Sequence, residues 1–464
     1  MLSPFMVTTF LAAPPTPIEP LPSPRHLAWH RLETYAFVHF GPNTFMNQEW
    51  GSGREDPSVF NPTALDCRQW AKTFRDAGLN AVIITAKHHD GFCLWPTEFS
   101  THSVKATSWK SGKGDVLKDL SDACREFGLK FGVYLSPWDR NHPTYGTPEY
   151  NVVFQEMLRE VLTRYGEVSE VWFDGANGEG PNGKRQIYDW PAFHSVVRKY
   201  APNAVIFSDA GPDIRWVGNE SGHAAETNWC LLERDRFYPG TPMYKELTEG
   251  HEDGTHWVPA ECDVSIRPGW FYRESEDPKV KTVEQLMDIY YRSVGQNGSL
   301  LLNVPPDKRG LIHEIDAQRL LDFKKARDVA FAVDLVAKAK VTATQTRGKD
   351  KRFAPANMQK EGLDTYWAVD DGVLSAAIAA EFESDTTLNR ILLQEPIQLG
   401  QRIRKFRVEA LVNGEWQPIV NGTTVGYKRI LRFRPVKAKK IRITIEDARA
   451  CPALARFAGY YSPI

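Results

Sequence analysis

Ala81-Val82-Ile83-Ile84-Thr85-Ala86 is a nearly unbroken apolar run that ends in Lys87-His88-His89-Asp90-Gly91-Phe92. A strand with no polar face is buried on both sides, which is how strands of a parallel sheet covered by helices read. Before it, residues 65–77 carry the apolar spacing of an amphipathic helix, and so do residues 116–127 after it. The pattern continues in both directions. Further strands are predicted at 35–40, 131–135, 171–173, 204–208, 225–229, 257–261 and 300–304, with helices at 152–165, 193–200 and 283–294. Eight such strands predict an α/β fold, a (β/α)8-type barrel over residues 25–340. The sixth and seventh units offer no convincing helix, so the barrel is expected to be irregular there.

Beyond about residue 340 the period changes. Segments 376–382, 405–412, 430–433 and 441–445 are β-rich, and Asn413-Gly414 and Asn421-Gly422 read as turns. Leu431-Arg432-Phe433-Arg434 and Ile441-Arg442-Ile443-Thr444-Ile445 alternate apolar with polar side chains, one face dry and one wet. A C-terminal β-sandwich over 341–464 is therefore expected. Residues 401–442 hold twelve Lys/Arg against two Glu. Because these charges fall on outward positions, a solvated strand face explains them better than a docking surface for anionic glycan. At the other end, residues 1–24 contain seven prolines and no Lys or Arg. Such a Pro-rich extension should run extended. Its apolar part, 5–13, lacks the positive flank of a secretory signal but suits the remnant of one, and the expectation is a secreted or periplasmic protein.

The 464 residues balance 57 Lys/Arg with 58 Asp/Glu, so there is no built-in attraction to a phosphate backbone and nucleic acid is not expected as a partner. No run approaches the ~18 apolar residues of a membrane span. The six cysteines occur singly, without metal or disulfide spacing, and read as buried thiols. Aromatic content is 12%, with 14 Trp, which suits flat apolar faces for sugar recognition as well as a large core.

In a barrel of this kind the C-terminal ends of the strands carry the active site. Four consecutive strands end in Phe37-Val38-His39-Phe40-Gly41, Lys87-His88-His89-Asp90, Val133-Tyr134-Leu135-Ser136-Pro137-Trp138-Asp139 and Val171-Trp172-Phe173-Asp174-Gly175. One rim thus receives imidazoles, a phenol, indoles and a carboxylate. A metal site is disfavoured, because adjacent His88 and His89 on an extended strand would point to opposite faces. No GxSxG elbow is present, and Cys93 has no nucleophile context. Glycoside hydrolysis remains, and it needs two carboxyl groups. Asp174 suits the ionised nucleophile: Gly175 after it would let substrate approach, and nearby imidazole N–H groups would keep it charged. The best second carboxyl is Glu220, in Trp216-Val217-Gly218-Asn219-Glu220-Ser221-Gly222, where an apolar wall such as Trp216 would keep it protonated. Glu226, Glu261 and Asp263 are rivals that periodicity does not separate.

These motifs, with Glu49-Trp50, occur in the order found in the α-L-fucosidases of glycoside hydrolase family 29, which the sequence resembles across residues 25–340. The resemblance implies a retaining double displacement with Asp174 as nucleophile, without metal or cofactor. It also implies a fucose pocket built from His39, Glu49, Trp50, His88, His89, Tyr134 and Trp172. The 216–222 loop and Ser265-Ile266-Arg267-Pro268-Gly269-Trp270-Phe271-Tyr272 resemble the subfamily that removes α-1,3/1,4-linked fucose from Lewis-type glycans. That match makes Glu220 the acid/base, and Trp270 would add apolar surface for the methyl group of fucose. The partner expected is a fucosylated oligosaccharide or glycoconjugate. The alternatives are a broad-specificity α-L-fucosidase, a non-catalytic fucose-binding lectin on the same scaffold, and a metal-dependent barrel hydrolase.

Overall fold

The computed structural model describes residues 12–463, so the first part of the Pro-rich extension and most of the 5–13 run lie outside the described residues. Two compact units form. One comprises Ser23–Val294 and Gly298–Asp328; the other comprises Val329 onward, Gly295–Asn297 and the described residues before 23.

In the first unit eight strands close a parallel barrel in sequence order: β1 (Thr34–Val38), β2 (Ala81–Lys87), β3 (Lys130–Leu135), β4 (Glu170–Trp172), β5 (Val205–Ser208), β6 (Ile214–Trp216), β7 (Ala260–Ser265) and β8 (Ser299–Asn303). Every residue of β2 is buried, as its apolar run requires. The flanking helices are locally specified. Asp66 caps Cys67–Asp76 by accepting from the Arg68 and Gln69 amides, and Asp115 caps Val116–Phe127 by accepting from Lys118. Gly128, at φ 71°, closes the second of these helices in the left-handed region that favours glycine.

Two strands differ from expectation. The sixth is Ile214–Trp216, not 225–229. Arg215 sits at its centre, fully buried, and its guanidinium donates to the carbonyls of Leu247, Val258 and Trp229 and to Asn228 Oδ1. A charged residue hid the strand, and 225–229 is the loop that helps to solvate it. The seventh strand begins at Ala260, because Pro259 cannot donate to a ladder. His256–Trp257 instead forms a short antiparallel pair with Leu231–Leu232. The irregularity expected here is present: 209–213 is too short for a helix, and between β6 and β7 the chain spares only Tyr244–Glu249 in addition to that pair and a single turn.

Alternation along each strand fills the barrel. Tyr35 and Phe37 of β1, Ile83 of β2, Tyr134 of β3, Trp172 of β4, Val205 and Phe207 of β5, and Leu301 of β8 form one buried cluster. Behind the end of β2 lies a fully buried ion pair. Lys87 Nζ is 3.2 Å from Asp139 Oδ2, and the other Asp139 oxygen accepts the Asn141 and His142 amides.

The second unit is antiparallel, a β-sandwich as expected. Ala376–Gln394 and Arg429–Ala448 pair along their length, with register shifts that bend them. They recruit Lys340–Ala343, Ile403–Val412 and Glu415–Gly422 at one part and Arg456–Tyr460 at another. Ile378, Phe406, Ile443 and Phe457 lie in the core. Asn413-Gly414 is a hairpin turn with both φ values positive. Asn421-Gly422 is not a turn. It lies in the strand, and a Cβ on Gly422 would meet the Phe406 ring at 2.2 Å. The outward charges are partly paired, as in Arg442–Glu409 at 2.8 Å and Lys440–Glu381 at 3.0 Å. Residues 12–22 have no regular structure, and the carbonyls of Ala13 and Thr16 accept from Arg347 and Arg402.

Lys87→Met leaves the Asp139 carboxylate buried and unpaired. It should cost about 3–5 kcal/mol, read as a lower denaturation midpoint; an unchanged midpoint would mean that the pair contributes nothing.

Candidate active site

The C-terminal ends of the strands enclose a cavity of about 190 Å³ lined by Phe37, His39, Trp50, His88, His89, Tyr134, Trp172, Asp174, Ala176, Glu220, Asp263 and Trp270. A wider cleft of about 720 Å³ shares Trp172, Asp174, Ala176, Glu220 and Asp263 with it, and continues past Arg185, Tyr188, Asp209, Tyr238 and Tyr244. The two carboxylates singled out from the sequence therefore stand where a small chamber meets a larger one.

Asp174 is held by two donors, the Tyr134 hydroxyl at 3.0 Å on Oδ2 and the Ala176 amide at 2.8 Å on Oδ1. Imidazole N–H groups were expected in that role, and the hydrogen bonding reassigns it. Ser136 Oγ donates to the Trp138 carbonyl, so it must accept from His89 Nδ1, 2.8 Å away. His89 Nε2, 3.7 Å from Asp174 Oδ2, is then a bare acceptor facing the cavity. His39 is oriented in the same way. Asn303 donates its amide to the Trp270 carbonyl and to Ser265, which turns Oδ1 towards His39 Nδ1 at 2.8 Å. Burial lowers the pKa of His39 to about 3 and that of His89 to about 4, and it holds His88 well below its usual range. Three neutral imidazoles line the chamber.

His88 and His89 do not point apart as an extended strand would require. β2 ends at Lys87, the chain turns with the Gly91 amide on the His88 carbonyl, and the two ring centroids lie 4.2 Å apart in the same cavity. Even so, among the described residues no three His, Cys, Asp or Glu side chains gather to hold a metal ion. Gly175 lines the wider cleft, and packing adds a second reason for a glycine there. A Cβ there would fall 2.2 Å from Asp209 Oδ2 and 2.4 Å from the Gly240 nitrogen, where a neighbouring loop packs.

Glu220 lies at the rim, and the Trp270 indole N–H donates to it at 3.3 Å. Burial raises its pKa, the Trp270 bond opposes this, and the charges of Asp174 and Glu49 add to the rise. Trp216, assigned as its apolar wall, lines the wider cleft together with Glu220, and its indole N–H donates to Asp263 at 2.8 Å. Of the rivals, Asp263 lines the cavity, whereas Glu261 is sealed in the barrel interior and Glu226 is an exposed loop residue. Glu49 is half-buried beside the cavity, near enough for its charge to act on Glu220. Its oxygens accept the Trp270 amide at 2.9 Å and the Arg273 guanidinium at 2.6 Å, which pins the 265–272 loop. Trp50, 58% exposed, leans edge-on against His89 at 5.6 Å. Trp172 lies flat on Phe207 at 3.9 Å, and Trp270 packs against His39 at 5.1 Å.

Asn303 and Ser136 were not singled out from the sequence, although each is a polar residue at or just past the end of an apolar strand. The α-L-fucosidase family model matches residues 27–325, the span that carries all of these groups. The chain belongs to the α-L-fucosidase family. An F5/8 type C domain matches residues 338–456. Alpha-L-fucosidase 1 of Arabidopsis thaliana is 45% identical over 461 residues, covering 98% of this chain and 90% of that protein. A glycoside hydrolase 29 family member from a rumen bacterium is 42% identical with a TM-score of 0.85, over 97% of this chain and 78% of that one. A Ruminococcus gnavus GH29 fucosidase solved with fucose is 33% identical with a TM-score of 0.90, over 98% and 97% of the two chains. As a member of this family, the chain is a glycoside hydrolase that acts on α-L-fucosides.

The buried imidazoles tie stability of this fucosidase to pH. Their native pKa values lie below the unfolded value of about 6.5, so the unfolded chain binds more protons between that value and about 3–4. Stability should be level above neutrality and fall as pH drops below about 6.5. Denaturation midpoints measured across that range check this, and His39→Asn should flatten the slope.

Proposed function

We propose that the protein is a retaining exo-α-L-fucosidase that removes α-1,3/1,4-linked fucose from branched, Lewis-type glycans. The observation that carries the reading is the junction of the two cavities. A chamber of about 190 Å³ suits one terminal sugar, and Asp174 and Glu220 stand where it opens into a cleft roomy enough for a branched remainder. The His39 and His89 Nε2 acceptors suit sugar hydroxyls. Phe37, Trp172 and Trp270 offer apolar surface to the methyl group at C6.

In the first step Asp174 attacks the anomeric carbon, the bond to the leaving oxygen breaks, and Glu220 gives that oxygen its proton. The charge on Asp174 disappears into the ester, which removes one cause of the raised Glu220 pKa. Glu220 is then more fully ionised and free to accept a proton. It takes a proton from water as that water attacks the anomeric carbon, the ester bond to Asp174 breaks and restores its carboxylate, and fucose leaves with its configuration retained. Glu220 suits this work better than Asp263 because it stands at the open rim, where water can exchange.

Asp174→Ala should lower kcat by about three orders of magnitude or more, as loss of a covalent nucleophile does. Glu220→Ala should hurt poor leaving groups most and should yield α-fucosyl azide when azide is added. Near-normal turnover of the first variant removes Asp174 from its role; azide rescue of Asp263→Ala instead moves the acid to Asp263. For linkage, kcat/KM on a Lewis trisaccharide should exceed that on an aryl fucoside carrying no second sugar. The reverse order would point to a broad-specificity enzyme.

A further inference from the structure

Glu170 and Glu261 are fully buried side chains on β4 and β7, strands that are not neighbours in the sheet, and their carboxyl groups meet inside the barrel. Two carboxyls in contact and out of water cannot both be charged, so the pair keeps one proton. The donors show where the negative charge stays. The Trp172 indole N–H donates to Glu261 Oε1 at 2.7 Å, and the Tyr35 hydroxyl donates to Oε2. Tyr35 in turn accepts the Trp29 indole N–H at 2.9 Å. Neither oxygen of Glu170 has such a donor. Glu170 is therefore the protonated member, its hydroxyl donating a hydrogen bond to Glu261, and Glu261 is the anion on which the indole and phenol converge.

The consequence falls on the sugar cavity. Trp172 is stacked between Phe207, at 3.9 Å and 10°, and Tyr134, at 5.1 Å and 25°. Parallel rings resist tilting but slide readily, so the directional bond from its N–H is what sets where the indole lies in its plane. Tyr134 carries any displacement onward, because its hydroxyl is the donor on Asp174 Oδ2. We propose that the Glu170–Glu261 pair is a positioning device for the active site: Glu261 fixes the Trp172 indole, and Glu170 supplies the proton that lets the pair be buried. The inference needs sugar to bind in this cavity but is independent of the linkage hydrolysed.

The test is a double-mutant cycle read as kcat and KM on an aryl α-L-fucoside and as inhibition by free L-fucose. Glu261→Leu should weaken fucose inhibition and lower kcat/KM by at least about tenfold, the effect of losing a hydrogen bond to a charged group. Glu261→Gln, whose amide oxygen can still accept the indole N–H, should recover part of this. Glu170→Gln, which still donates to Glu261, should be less damaged than Glu170→Leu. In a Trp172→Phe background, with no N–H to hold, Glu261→Gln and Glu261→Leu should change these constants by less than about twofold. Full additivity in that background, or no recovery with the amide variants, would overturn the proposal and leave the pair a purely structural feature. If Glu261→Leu does not fold, the cycle of Glu261→Gln with Trp172→Phe decides it. The cycle reads fucose binding directly, so its failure is distinct from failure of the Asp174 and Glu220 assignments.

Discussion

A strand in a closed parallel barrel turns every second side chain towards the interior, and β4 uses that rule to stack Glu170, Trp172 and, at its mouth, Asp174 in one column. The three residues do different work because they stand at different depths. The deepest is in a dry interior, where burial and the facing Glu261 keep it protonated. The middle one is a flat ring caught between aromatic neighbours. The outermost reaches the cavity, where a hydroxyl and an amide hold its two oxygens. A one-residue slip of the strand would turn the whole column outward.

The same economy of hydrogen bonds governs the histidines. An imidazole has two nitrogens and, when neutral, one proton. Committing Nδ1–H to Asn303 or Ser136 leaves Nε2 as an acceptor for a ligand hydroxyl. Burial keeps the rings neutral, so the chamber holds polar acceptors without accumulating positive charge beside Asp174. The carboxyls at the rim are tuned by opposing causes. Burial and two neighbouring carboxylates raise Glu220, while the Trp270 N–H restrains it. Glu49 also anchors the loop that brings Trp270 to the cavity.

Much of this was legible in the chain. Periodicity marked seven of the barrel strands, although the seventh begins a few residues later than expected, and the motifs at the ends of β1 to β4 named Phe37, His39, His88, His89, Tyr134, Trp172 and Asp174 among the residues that line the cavity. The sixth strand was not legible, because Arg215 breaks the apolar run and its charge is satisfied only by carbonyls from distant segments. The facing of His88 and His89 was misjudged for a related reason: alternation holds while the chain is extended, and here it turns immediately after Lys87. Asn421-Gly422 looked like a turn because a glycine that makes room for an aromatic ring and one that turns the chain read alike.

Taken alone, the chain determines the order of strands, the change from parallel to antiparallel architecture near residue 340, and the residue types that reach the barrel rim, since these depend on local apolar spacing and on motifs a few residues long. Which nitrogen of each histidine faces the cavity, which ring bonds Glu220, and that Glu170 meets Glu261 across the barrel are matters for the tertiary structure. Each depends on partners tens to hundreds of residues away, and a hydrogen bond takes its direction only when both ends are in place.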